Sequence, residues 1–206
     1  SPQSPAMSQP SLSFTPEEEA LIQQEYQALL QDYIASPHRK KTEIIDQAFR
    51  LACHAHGLVR RRSGEPYILH PIAVARIVCK EIGLGSTSIC SALLHDVVED
   101  TEYTVEDIRR GFGDKIAQIV EGLTKISTEQ VPQNIRKLLL TIGDDARVIL
   151  IKIADRLHNM RTLSSMKPEK QLKIAGETSF FYAPLADRLG LFSIKTELED
   201  LSFRYE

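Results

Sequence analysis

Helix start and stop signals punctuate almost the whole chain and leave little room for a sheet. Thr15-Pro16-Glu17-Glu18 combines an N-cap threonine, a first-turn proline and a capping-box acid, so a helix is expected from there to residue 35, ahead of Ser36-Pro37. Ile44, Ile45, Ala48, Leu51 and Ala52 recur at helical spacing and predict a second helix over 41–56, stopped by Gly57. The same signals predict a helix from Pro71 to just before Gly83, one capped by Ser86 and reaching Val98, a short one from Thr104 to Gly111, and one from Asp114 to Thr124. Further helices are expected over 134–142, 146–162, 169–188 and 194–205. The run Val148-Ile149-Leu150-Ile151 would also suit a buried strand, but a lone strand has no partner in this pattern, so helix is expected there. The predicted fold class is all-α, a compact bundle of about ten helices.

With 206 residues the chain suits one domain with a sizeable core. Its net charge of −3 supplies no field that would draw nucleic acid, so a polyanionic substrate needs a local basic patch. Cys53, Cys79 and Cys90 sit singly in apolar stretches, with no CxxC pair, which fits a reducing cytoplasm. No apolar run approaches the ~20 residues of a membrane span, and no signal peptide is visible. Residues 1–13 are rich in Ser, Pro and Gln and read as a disordered lead, with Met7 a candidate natural start. Residues 14–206 form the expected domain.

The chemistry concentrates in Ser91-Ala92-Leu93-Leu94-His95-Asp96-Val97-Val98-Glu99-Asp100. A small, apolar run predicts a buried helix, and His95, Asp96, Glu99 and Asp100 at its end gather on one side at i+3 and i+4 spacing. Buried carboxylates without a counter-charge cost roughly several kcal/mol each, and a helix C-terminus disfavours anions further. A divalent cation resolves that conflict, since imidazole and carboxylate suit Mn²⁺, Fe²⁺ or Zn²⁺; a solvated acidic helix end is the plainer alternative. His70, at a helix start, and Asp155, at the end of an apolar run, are further ligand candidates. Taken singly, His70 also fits a helix-start residue and Asp155 a partner of Arg156, and their spacing matches no compact metal motif. Arg60-Arg61-Arg62 is a basic run, and by itself it also fits an exposed charged loop or a nucleic-acid patch.

His70, then His95-Asp96, then Asp155 resembles the H…HD…D signature of the HD phosphohydrolase superfamily. The wider text is more specific. Residues 61–71 (RRSGEPYILHP), 93–101 (LLHDVVEDT), 151–163 (IKIADRLHNMRTL) and 182–202 (YAPLADRLGLFSIKTELEDLS) resemble the hydrolase domain of RelA/SpoT-type guanosine alarmone enzymes, from about residue 40 onward. The resemblance implies an all-α HD-domain bundle that removes the 3′-pyrophosphate of ppGpp or pppGpp. It implies that His70, His95, Asp96 and Asp155 bind one Mn²⁺, and that Glu99 and Asp100 are the catalytic acids. It also implies that Arg61, Arg62, Ser63, Tyr67, Asn159 and Thr162 line the nucleotide site. The product is then GDP or GTP plus pyrophosphate, in the cytoplasm, with no membrane or nucleic-acid partner. Residues 197–203 resemble the link that leads into a synthetase domain in long relatives, so a longer protein with synthetase and regulatory domains is expected.

The chain departs from the family text at two places. Relatives read Arg-Lys-Ser-Gly where this chain has Arg61-Arg62-Ser63-Gly64, which keeps the charge but changes the donor geometry. The segment between Lys125 and Asn134 is also shorter than in long relatives. Two other readings remain open on the residues alone: an HD phosphohydrolase for another nucleotide, and a non-catalytic domain that binds the alarmone.

Overall fold

The computed structural model describes residues 13–38, 41–128 and 145–205. Its α-helices are α1 (Pro16–Ile34), α2 (Thr42–His56), α3 (Leu69–Arg76), α4 (Ser86–Leu94), α5 (Val97–Asp100), α6 (Val105–Phe112), α7 (Asp114–Thr128), α8 (Arg147–Arg161), α9 (Pro168–Glu177), α10 (Ala183–Arg188) and α11 (Phe192–Phe203). Among the described residues the only β pairing is an isolated antiparallel bridge between Arg60 and Pro66, so the all-α expectation holds. Val148 to Ile151 lie inside α8. The predicted lead and the helix predicted over 134–142 lie outside the described residues.

α4 is the centre of the bundle. It packs against α2, α3 and α7, and every residue from Ser88 to Leu94 is buried. Removing that much apolar side chain from water, about 1.5–3 kcal/mol for each large aliphatic residue, fixes where its C-terminal end must lie. α8 lies against α3, α7 and α11 and buries Ile149, Ile151, Ile153 and Leu157. α1 closes one side. Its capping box forms as expected, with Thr15 and Glu18 bonded reciprocally. Tyr26 stacks on Phe49 of α2 at 3.8 Å between ring centroids and donates its hydroxyl hydrogen to Asp46 at 3.0 Å.

Three of the boundaries that differ from expectation have a local reason. The helix expected from Ser86 to Val98 breaks at His95-Asp96, where α4 ends and the short α5 begins. His95 Nδ1 takes the Ala92 carbonyl at 2.5 Å, the acceptor that the Asp96 N–H would use in a continuous helix. The N-cap of α4 is Gly85, not Ser86, and Gly85 lies so close to the His38 ring that a Cβ would meet it at 3.2 Å. The helix expected over 169–188 runs as α9 and α10 with a π turn, Thr178–Tyr182, between them. Pro184 has no N–H for the carbonyl four residues back, and the π turn absorbs the displaced register.

Candidate metal centre and its flanking cavities

The C-terminal end of α4, the first turn of α3 and the middle of α8 converge. His70, His95 and Asp155 are 3%, 5% and 8% exposed, and one ligand atom from each lies within 4.8 Å of the others. His70 Nε2 is 2.7 Å from Asp155 Oδ1, and His95 Nε2 is 3.3 Å from the same oxygen. Asp96 Oδ2 stands 3.1 Å from His95 Nε2. Asp96 is outside the tight triad; the same Oδ2 accepts from the Tyr67 hydroxyl. The alternative pairing of Asp155 with Arg156 does not occur: Arg156 bonds Glu177 at 2.9 Å and lies over the Tyr182 ring.

The hydrogen-bond partners set the tautomers. A carbonyl only accepts, so His95 Nδ1 carries the hydrogen toward Ala92 and Nε2 is the nitrogen that takes a second proton or a cation. That Nε2 is buried and makes no hydrogen bond of acceptable geometry, although two carboxylates stand beside it. Burial alone would lower the His95 pKa, but Asp96 and Asp155 hold it well above the ordinary value. Burial raises the pKa of Asp155, yet Lys152, 3.5 Å away, and the two imidazoles pull it well below the carboxylate range. Buried imidazole nitrogens and carboxylate oxygens facing one point form an N/O donor set that fits a divalent metal ion.

Sequence reasoning gave His158 no role. Its Nδ1 lies 2.6 Å from His70 Nδ1. Burial, with His70 and Arg61 nearby, lowers its pKa to about 3, so it stays neutral. That contact, with Arg61 donating to the same His70 Nδ1 at 3.5 Å, holds the His70 ring with Nε2 toward Asp155, as outer partners of metal-bound histidines do. The available signal was its position three residues after Asp155, on the same helical face. His158→Ala is expected to weaken divalent metal binding about 10- to 100-fold while leaving the fold intact, as checked by a Mn²⁺ titration beside a thermal melt.

The basic run divides by function. Arg60 anchors α1 through Glu18, at 2.5 and 2.8 Å. Arg61 donates to Asn159 Oδ1 at 3.0 Å, and Arg62 is exposed. The loop doubles back tightly: Arg61 N–H donates to the Glu65 carbonyl, Gly64 N–H to the Arg61 carbonyl, and Gly64 takes φ 97°, which favours glycine. Arg61, Arg62, Ser63 and Tyr67 line a cavity of about 630 Å³ that Lys167, Lys170 and Lys173 also line. Ser63 Oγ donates to Glu65, and Thr162 donates to the His158 carbonyl at the end of α8; Thr162 is not among the residues lining this cavity.

Tyr67 also borders a second cavity of about 480 Å³, lined by His56, Asp100, Glu102 and Tyr103 among others. Asp100 follows Asp96 by one turn, its N–H donating to the Asp96 carbonyl at 2.9 Å. Burial, then the Asp96 charge, raises its pKa. Glu99 lies beside it on α5, exposed. His56, another residue the sequence did not single out, is buried against the Tyr67 ring at 4.8 Å, and its Nε2 has no partner.

Comparison with known proteins adds a family and its members. The family profile described as HD domain matches residues 48–192. A Synechocystis protein named probable guanosine-3′,5′-bis(diphosphate) 3′-pyrophosphohydrolase is 48% identical over 85% of this chain and 23% of its own length. An Aquifex aeolicus protein named guanosine-3′,5′-bis(diphosphate) 3′-pyrophosphohydrolase is 47% identical over 84% and 25%. A Myxococcus xanthus protein named GTP pyrophosphokinase is 48% identical over 79% and 23%. The chain therefore spans about a quarter of the length of these curated relatives. A solved structure described as a metazoan ortholog of SpoT that hydrolyzes ppGpp superposes with a TM-score of 0.59 at 24% identity, covering 78% of this chain and 94% of that one; it supports the fold.

Proposed function

The chain belongs to the HD domain family, and on that premise we propose that it hydrolyses the 3′-pyrophosphate of ppGpp and pppGpp, giving GDP or GTP and pyrophosphate. One observation carries the reading: His70, His95 and Asp155 meet as a buried triad beside a cavity lined by arginines and lysines. The names of the Synechocystis and Aquifex relatives support the same substrate. The Myxococcus name points to pyrophosphokinase activity instead, but it describes a protein of which this segment matches 23%. A buried metal-type triad suits hydrolysis within this segment.

In this proposal His70, His95, Asp96 and Asp155 hold one divalent ion; the donors suit Mn²⁺, Fe²⁺ or Zn²⁺, and the resemblance to RelA/SpoT-type hydrolases favours Mn²⁺. When bound, the ion supplies Lewis-acid polarisation of the phosphoryl group. The chain's own groups do the rest. Glu99 or Asp100 accepts the proton of the attacking water. The water oxygen ends on the pyrophosphate, the P–O3′ bond breaks, and O3′ leaves as the ribose hydroxyl. Arg61 and Arg62 offset the substrate's charge, with Ser63, Tyr67, Asn159 and Thr162 around the nucleoside. Among the described residues no helix is long and apolar enough to cross a membrane. We propose a cytoplasmic enzyme with no nucleic-acid partner, joined in its full-length form to synthetase and regulatory domains.

A substrate panel tests this reading. ppGpp and pppGpp should both be cleaved, whereas GTP and dGTP, with no 3′-pyrophosphate, should be left intact; efficient dGTP hydrolysis with ppGpp untouched would overturn it. Arg62→Ala should raise KM roughly five- to tenfold with little change in kcat, because a clamp on ground-state phosphates acts on binding. The penalty should shrink as salt rises, and Arg62→Lys should be mild, since similar family text carries Lys there. A kcat loss with unchanged KM would contradict that role.

A further inference from the structure

Three helices begin at one further cavity. A space of about 400 Å³ is lined by Lys41 at the start of α2, Gly85 to Ser88 at the start of α4, and Arg147 at the start of α8. None of its lining residues borders either cavity beside the metal centre. α4 has nine residues, so this end of it lies about 13 Å from the end that carries His95. The three N-caps, Lys41, Gly85 and Ala146, give their helices no side-chain cap bond. Each helix start bears positive partial charge, and three of them meet here. In α4 the Ile89 N–H donates to the Gly85 carbonyl at 3.0 Å, whereas the N–H groups of Ser86, Thr87 and Ser88 meet no acceptor among the described residues. Ser88 is 1% exposed and lines the cavity, and its hydroxyl has no hydrogen-bond partner among the described residues. A polar group taken from bulk water without a partner is costly, and an acceptor in the cavity would supply one. Lys41 is exposed and forms no ion pair with the described residues; its backbone N–H, bonded to the Tyr33 hydroxyl at 3.0 Å, fixes it at the rim. Arg147 gives Nε and Nη2 to Asp145, at 3.0 and 2.8 Å, and keeps Nη1 unbonded. With that acid set against Arg147, the Lys41 charge and the three helix starts leave the cavity positive.

We propose that this cavity is a second ligand site, separate from the metal centre, that takes a phosphate group. The N–H groups of Ser86, Thr87 and Ser88 and the Ser88 hydroxyl donate to its oxygens, and Lys41 and Arg147 offset its charge. Four such donors and two cations exceed what the two oxygens of a carboxylate need and suit a tetrahedral oxyanion. The site stands independently of the alarmone reading, since it shares no residue with the proposed hydrolytic machinery.

The test is a titration of the ¹⁵N-labelled full chain, loaded with diamagnetic Zn²⁺, with inorganic phosphate and separately with GDP, followed at the backbone amides. Inorganic phosphate should move the Ser86, Thr87 and Ser88 amide protons downfield in a saturating curve, with a Kd on the order of 1 mM or tighter. An equal Kd for GDP makes free phosphate the sufficient ligand, and a tighter one assigns the site to a nucleotide's phosphate. Lys41→Ala/Ser88→Ala should weaken the wild-type binding about tenfold, the scale of one exposed charge and one hydrogen bond, with the ligand-free melting temperature little changed. Unmoved amides at 86–88 would overturn the site. So would shifts confined to Arg61 and Arg62, which would put the phosphate beside the metal centre instead. Undiminished binding at 86–88 in the folded double variant would overturn it as well.

Discussion

His95→Ala is expected to abolish stoichiometric metal retention and to lower turnover by at least about 10³-fold, the scale of losing an essential catalytic unit. The imidazole sits where α4 ends, 5% exposed, with Nδ1 on the Ala92 carbonyl and Nε2 directed at Asp155 and Asp96. Alanine removes the one nitrogen that faces both carboxylates. Asp96 and Asp155 then oppose each other with Lys152 as the nearest positive group, and the N/O donor set loses a member. Among the described residues the side chain pairs only with Asp96 and Asp155 of the centre itself, so the variant should stay helical and cooperative in a thermal melt. Metal analysis of the purified variant, with circular dichroism as the control, separates lost chemistry from lost folding. A folded variant that keeps one metal ion per chain and normal turnover would remove His95 from the centre.

Glu99→Gln should keep metal and substrate binding but lose turnover by roughly 10²-fold or more, the usual scale for removing a general base. Glu99 lies on α5, one turn beyond the His95-Asp96 break, exposed beside the metal centre and not inside it. Glutamine preserves its size and hydrogen bonding and deletes only the proton acceptor. The expected signature is a fall in kcat with KM and metal content unchanged. Near-normal turnover would transfer the base to Asp100, whose pKa is raised by burial and by Asp96 and which lines the cavity beside Tyr67.

Periodicity and capping residues made most helices legible, because Thr15-Pro16 and Thr104 satisfy end groups that any helix must satisfy. They did not reveal the break between α4 and α5. That break depends on His95 taking a backbone carbonyl, a competition between side chain and ladder that spacing does not encode. The triad was legible through its resemblance to known text, since 85 residues separate His70 from Asp155 and no local spacing joins them. The basic run was read as one unit, whereas Arg60 serves α1 and Arg61 faces α8, a division set by tertiary packing. The roles of Glu99, Asp100 and Asp96 rest on the proposal, with Asp96 turned partly toward Tyr67.

The most direct test follows ppGpp by phosphorus NMR with purified, Mn²⁺-loaded protein, before and after chelation. The account predicts GDP and free pyrophosphate as the products, arrest on chelation and recovery when Mn²⁺ is returned. Intact ppGpp in the presence of Mn²⁺, with dGTP or a cyclic dinucleotide hydrolysed in its place, would contradict it.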